Sequence, residues 1–189
     1  MIDTTKLVEI RMHGRGGQGT VTSAELIAQA AISEGKYAQA FPSFGPERRG
    51  APVQAFIRID SQESIKIRAE IRKPDVVAVL DPGLLSIVDV SSGLNEDGIM
   101  IINTRKSFQE IRSEFNIKQK LALIDATTIA RELLGVPIVN TTMIGAILKV
   151  TGVTQIESLI EPLKRRFGRI AEKNINAMKK AYEETKVKE

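Results

Sequence analysis

Cysteine and tryptophan are absent from this chain of 189 residues, and histidine occurs once. Without thiols the chain forms no disulfide, offers no thiolate nucleophile and ligates no iron–sulfur cluster by itself. A single histidine also excludes a zinc site of the usual Cys/His kind. Aromatic residues make up 4% of the chain and none interleaves with a basic stripe, so stacking on nucleic-acid bases is not expected. No apolar run nears the roughly 20 residues of a membrane-spanning helix. The opening MIDTTKLVEIRMHG lacks the basic start and apolar stretch of a signal peptide. These absences point to a cytosolic protein with no membrane and no nucleic-acid partner. What is present, 42% hydrophobic and 26% charged residues, suits a soluble fold with a full core. The length fits one domain, 1–189, ending in helices over about 154–185.

The net charge of +4 is unevenly spread. Residues 164–189 hold nine Lys/Arg against four Asp/Glu, and the remainder is close to neutral. The basicity reads as a solvated helix face near the C-terminus.

Leu7, Val8, Ile10 and Met12 form a strand pattern, followed by the loop His13 to Gly19 and a helix over about 20–34. Val21, Ala24, Ala28, Ala31 and Ile32 give that helix an apolar face, and Gly35 is its C-cap glycine. The proline- and glycine-rich stretch 38–52 excludes a continuous helix. Two alternating stretches come next, 53–60 and 65–72, which predict an antiparallel hairpin with one face to solvent. Continuous apolar runs at 75–80, 98–103 and 121–124 suit parallel strands covered on both faces. Helices are expected near 83–90, 127–134, 141–150, 155–167 and 170–184. The fold class is therefore α/β: a Rossmann-like three-layer fold with a mainly parallel sheet and an inserted antiparallel hairpin.

Gly14-Arg15-Gly16-Gly17-Gln18-Gly19 satisfies G-x-G-x-x-G between strand and helix. The glycines permit a tight turn and close backbone approach, and the helix N-terminus favours an anion. Arg15 adds a cation. A dinucleotide site also needs an acid about 20 residues further on, where this sequence has Tyr37 to Pro46 and no acid. Glu34 reads as part of the helix C-terminus. No G-K-[ST] follows, so the loop is not a P-loop. Packing the helix on the sheet explains the glycines about as well as ligand contact does.

Glu47-Arg48-Arg49 lies in the second dense cluster, where adjacent arginines can grip carboxylates or phosphates. Asp81, Asp125 and Asn140 or Thr141 each precede an expected helix and read as N-caps. His13 reads as a hydrogen-bonding loop residue rather than a catalytic base. There is no nucleophile elbow, no metal-ligand cluster and no thiamine diphosphate motif, since Glu96-Asp97-Gly98 lacks its asparagines. The set is incomplete for catalysis and indicates one subunit of a larger enzyme.

Four segments occur in one order: 13–19, 35–52, Lys73-Pro74-Asp75 and Asn140-Thr-x-Met-x-Gly-Ala146. Over about 8–182 the chain thereby resembles the gamma subunits of pyruvate:ferredoxin oxidoreductase (pyruvate synthase), within the 2-oxoacid:ferredoxin oxidoreductases. The resemblance implies an assembly with alpha, beta and delta subunits that converts pyruvate to acetyl-CoA and passes electrons to ferredoxin. It implies thiamine diphosphate, magnesium and iron–sulfur clusters held by other chains, and a gamma-type domain inactive in isolation. It further implies that this domain completes the assembly and helps bind or cover coenzyme A (CoA). On that basis Gly14, Arg15, Gly16, Gly17, Gln18, Gly19, Glu47, Arg48 and Arg49 are the candidate contacts with CoA phosphates or neighbouring subunits. Catalytic and metal-ligating residues are expected to be none. A 2-oxoisovalerate enzyme, an independent nucleotide-binding module and a purely structural scaffold are the competing readings.

Overall fold

The computed structural model describes residues 2–43 and 49–188. A seven-stranded sheet organises them: β1 (Val8–Arg15), β2 (Tyr37–Pro42), β3 (Pro52–Asp60), β4 (Val76–Val79), β5 (Ile99–Asn103), β6 (Lys120–Ile124) and β7 (Lys186–Lys188). Their order is β2-β3-β1-β4-β5-β6-β7. β1, β4, β5 and β6 run parallel. β3 is antiparallel to both β1 and β2, and β7 is antiparallel to β6. The sheet is thus mixed, with a parallel core and antiparallel flanks, and not mainly parallel as expected.

The helices are α1 (Thr20–Ser33), α2 (Phe108–Phe115), α3 (Ala126–Leu134), α4 (Asn140–Thr151), α5 (Ile160–Phe167) and α6 (Ala171–Glu184). Strand alternation sends Ile10, Met12, Ile57 and Ile101 to one face, where they pack with residues of α1, α3, α4 and α6. Val79, Met100, Ile102 and Leu121 face the other side, toward Ile111 of α2 and toward Leu84, which follows β4. Helices therefore cover both faces of the parallel core, which accounts for its uniformly apolar strands. α1 ends as expected at Gly35, whose φ of 82° allows the reversing N–H bonds from Gly35 and Lys36.

The predicted hairpin is wrong in its partners. β3 pairs with β2, from the proline-rich stretch, in the register Tyr37↔Asp60 to Pro42↔Ala55. Pro42 is tolerated there because β2 is an edge strand and the residue ends it. β3 lies inside the sheet with both faces covered: Phe56 and Arg58 are as buried as Ile57. Residues 65–72 form no strand and instead cross the face of β2, β3 and β1. Side chains rising from the sheet hold them. Gln39 donates to the Ile65 carbonyl at 2.9 Å, Arg58 to Ile67 at 3.3 Å and Arg11 to Ile71 at 3.4 Å. Ile71 fills the space over Phe41 and Phe56.

Smaller differences follow local chemistry. Residues 83–90 give only a 3-10 turn, Pro82–Ser86, which ends before Ile87 and Val88. The stretch 155–167 divides into a 3-10 turn, Ile156–Leu159, and α5. Sequence reasoning missed α2, although Ser107 and Glu110 form a reciprocal capping box at its start.

Candidate functional site

β1 runs further than expected and takes in His13, Gly14 and Arg15. The turn into α1 is consequently short, and two of its glycines are required by contact. A Cβ on Gly14 would lie 2.0 Å from the Thr20 hydroxyl. Gly19 is left-handed at φ 76°, and a Cβ there would lie 2.6 Å from Asn140 Nδ2. Thr20 Oγ1, buried beneath Gly14, has no hydrogen-bond partner among the described residues.

Asp81 clamps the turn. Its Oδ2 accepts from Arg15 Nε and from Gln18 Nε2, both at 3.0 Å, while Oδ1 accepts from the Gly83 N–H at 2.9 Å. Gln18 Oε1 in turn accepts from the Arg15 N–H at 2.8 Å. Asp81 is the N-cap that its sequence context suggests, and it also sets the loop. That second role was not foreseen; the usable signal was an acid ending β4, the parallel neighbour of β1. Arg15 is thereby held by Asp81, and its guanidinium also donates to the Gly50 carbonyl at 3.2 Å. It braces the loop as well as lending it positive charge.

The structure brings Arg49 to the glycine turn. The Gly16 N–H donates to Ala51 O at 2.9 Å and the Gly50 N–H to Gly16 O at 3.0 Å. Gly16 and Arg49 form a parallel bridge. Glu47 and Arg48 lie outside the described residues.

The first turn of α1 leaves N–H groups without intrahelical acceptors, and a cleft of about 290 Å³ lies beside the loop that precedes it. Gly17, Gly19, Asn140, Lys173 and Asn174 line it together with the apolar Leu134, Val136, Ile138, Phe167 and Ile170. Asn140 sits in the first turn of α4 instead of capping it, because Val139 takes the cap position. Its role is contact with Gly19. Asn174 Oδ1 accepts from the Thr141 hydroxyl at 2.8 Å. Gly145 lets α6 approach, since a Cβ there would lie 2.0 Å from the Met178 carbonyl oxygen. The motifs at 14–19 and 140–146, remote in sequence, thus meet.

His13 is buried in β1, and its Nε2 accepts from Arg11 Nε at 3.1 Å. Burial, and then the Arg11 charge, push its pKa down from 6.5 to about 3. It is a neutral acceptor within a strand, not a loop residue. Asp125 caps α3 through the Thr128 N–H at 3.0 Å, as expected, and pairs with Arg105 at 2.9 Å. Glu34 ends α1 and accepts from Lys36 at 2.8 Å and the Gln155 N–H at 2.6 Å, so it is committed away from the glycine turn. Among the described residues no three His, Asp or Glu side chains cluster to hold a metal. No helix among them is long and apolar enough to cross a membrane.

A glycine turn between the first strand and the first helix, braced from the neighbouring strand and beside an apolar cleft, is the distinguishing feature of this α/β domain. The chain belongs to the pyruvate ferredoxin/flavodoxin oxidoreductase family, which it matches over residues 9–184. Within that family, relatives more than half identical to it include gamma subunits and a pyruvate synthase subunit. It is 55% identical over 183 residues to the pyruvate/ketoisovalerate oxidoreductases common subunit gamma of Pyrococcus furiosus, covering 96% of this chain and 98% of that one. The crystal structure of a pyruvate oxidoreductase subunit from Thermotoga maritima superimposes with a TM-score of 0.88 at 39% identity, covering 97% and 99% of the two chains. The fold also recurs, at TM-score 0.77 and 20% identity, in the 2-oxoglutarate:ferredoxin oxidoreductase of Magnetococcus marinus, solved with 2-oxoglutarate, coenzyme A and succinyl-CoA. There the match covers 93% of this chain and 30% of that one.

Proposed function

We propose that this chain is the gamma subunit of a pyruvate:ferredoxin oxidoreductase, a single Rossmann-like domain that works only within its complex. The observation that carries the reading is the 55% identity to a gamma subunit over nearly the whole of both chains. The lack of cysteine supports it, because electrons bound for ferredoxin must then travel through clusters on other chains. Alpha, beta and delta subunits supply those clusters and the thiamine diphosphate and magnesium site. The turn Gly14 to Gly19, with Glu47, Arg48 and Arg49, contacts CoA phosphates or an adjoining subunit. In support, a helix N-terminus suits a phosphate, and the apolar wall of the neighbouring cleft suits an uncharged ligand arm.

The test uses the assembled complex. Arg48→Ala with Arg49→Ala is expected to raise the KM for CoA about tenfold or more, the weight of one lost charge-assisted hydrogen bond, with pyruvate KM unchanged. An unchanged CoA KM in an intact complex leaves the loop a scaffold only. The isolated chain is expected to reduce no ferredoxin with pyruvate and CoA; turnover by it alone refutes the subunit reading. A second reading, a gamma subunit serving a ketoisovalerate enzyme as well, is favoured by the name of the Pyrococcus relative. Reconstitution with either set of partners separates the two.

A further inference from the structure

Residues 63–73 carry the alternation of a β-strand, Ile65, Ile67, Ala69 and Ile71 against Lys66, Arg68, Glu70 and Arg72, yet they pair with no strand. Among the described residues, no backbone–backbone hydrogen bond involves this segment. The carbonyls that Gln39, Arg58 and Arg11 engage belong to Ile65, Ile67 and Ile71. The chain bends at Ala69, between the second and third of them. A planar trans peptide sets each carbonyl opposite the following N–H, so the N–H groups of Lys66, Arg68 and Arg72 point away from the side chains that hold these carbonyls. Residues 66–70 are all exposed, and Ile67 shows 65% of its surface.

We propose that this outer edge receives an extended segment of another subunit of the complex, bearing carboxylates at alternate positions. The proposal rests on the subunit reading above. An extended chain with free donors and acceptors is a template for an added strand. Charge selects the occupant. Lys66, Arg68, Arg72 and Lys73 are exposed and make no ion pair among the described residues, and Glu70 is the sole carboxylate among residues 66–73. A second copy paired antiparallel around Ala69 would set Lys66 against Arg72 with only Arg68 against Glu70 to offset it, and like charges directly across a strand pair are destabilising. An acidic strand meets both the hydrogen-bonding edge and the charge, with Ile67 as its apolar contact.

Hydrogen exchange on the complex, purified through a tag on this chain, tests the proposal against the chain alone. The amides of Lys66, Arg68 and Arg72 should exchange about tenfold or more slowly in the complex, and rapidly in the free chain. Arg68→Pro, which removes an outward N–H, should weaken assembly about tenfold or more, and Arg68→Ala less. The melting temperature of the free Arg68→Pro chain shows whether it folds; if it does not, hydrogen exchange decides alone. Unchanged exchange at these amides in an intact complex overturns the proposal and leaves the subunit reading standing. Protection that grows with concentration of the free chain overturns it in favour of a second copy. A chain that purifies free of other subunits overturns both.

Discussion

Asp81 joins three partners on one carboxylate: Arg15, Gln18 and the Gly83 N–H. Asp81→Ala strands all three and is expected to destabilise the chain by about 1–3 kcal/mol in chemical denaturation. Asp81→Asn, which keeps an acceptor oxygen, should cost less; equal stability of both variants to the wild type refutes the clamp. His13 makes a pH-dependent contribution. Its folded pKa is about 3 against 6.5 for the free side chain. The unfolded chain therefore takes up a proton near pH 6.5 and the folded chain does not. The stability at stake is fully present above pH 6.5 and falls as pH drops toward 3, at up to about 1.4 kcal/mol per pH unit. His13→Gln retains an acceptor for Arg11 and should flatten that part of the stability–pH curve; parallel curves for variant and wild type refute it. At this scale the sequence was partly legible. The caps at Asp81 and Asp125 follow from position, but the setting of His13 depends on Arg11, which is itself held by a carbonyl 60 residues further on.

Among the elements, those with local signals were readable: β1 through its apolar residues, α1 through its face and Gly35, and the parallel strands through unbroken apolar runs. The hairpin was not. Residues 65–72 alternate as strictly as β3 does, and alternation records sidedness without naming a partner. The side chains of Gln39, Arg58 and Arg11 occupy carbonyls that a strand partner would have used, while β2 hides among prolines that are harmless at an edge. The contact of α4 with α6 is equally non-local, since Gly145 marks a close approach only once α6 is placed. Gly145→Ala puts a methyl group against backbone at Met178 and is expected to cost about 3 kcal/mol. A melting temperature equal to the wild type's refutes that packing.

For the whole molecule, the α/β class and the joining of a glycine turn to a helix were legible, and the balance of parallel and antiparallel pairing was not. The glycine turn itself invites a dinucleotide reading that the surroundings do not sustain. Glu34, the acid nearest the usual ribose position, is tied to Lys36 and Gln155. Titration calorimetry of the isolated chain with NAD should therefore give no saturable heat at micromolar concentrations, and tight binding would restore the nucleotide-module reading. The candidate site is a meeting of three remote stretches, 14–19, 49–51 and 140–146. Only the first announces itself by spacing; the other two matter because the sheet and α4 deliver them to it.

The sheet finishes at β7, three exposed residues in which Lys186 and Lys188 flank Val187. A sheet edge invites another copy to extend it. Here an identical edge arriving antiparallel would bring lysines to lysines, and the approach is repelled. The two charges thus discourage two copies from closing into a dimer through this edge.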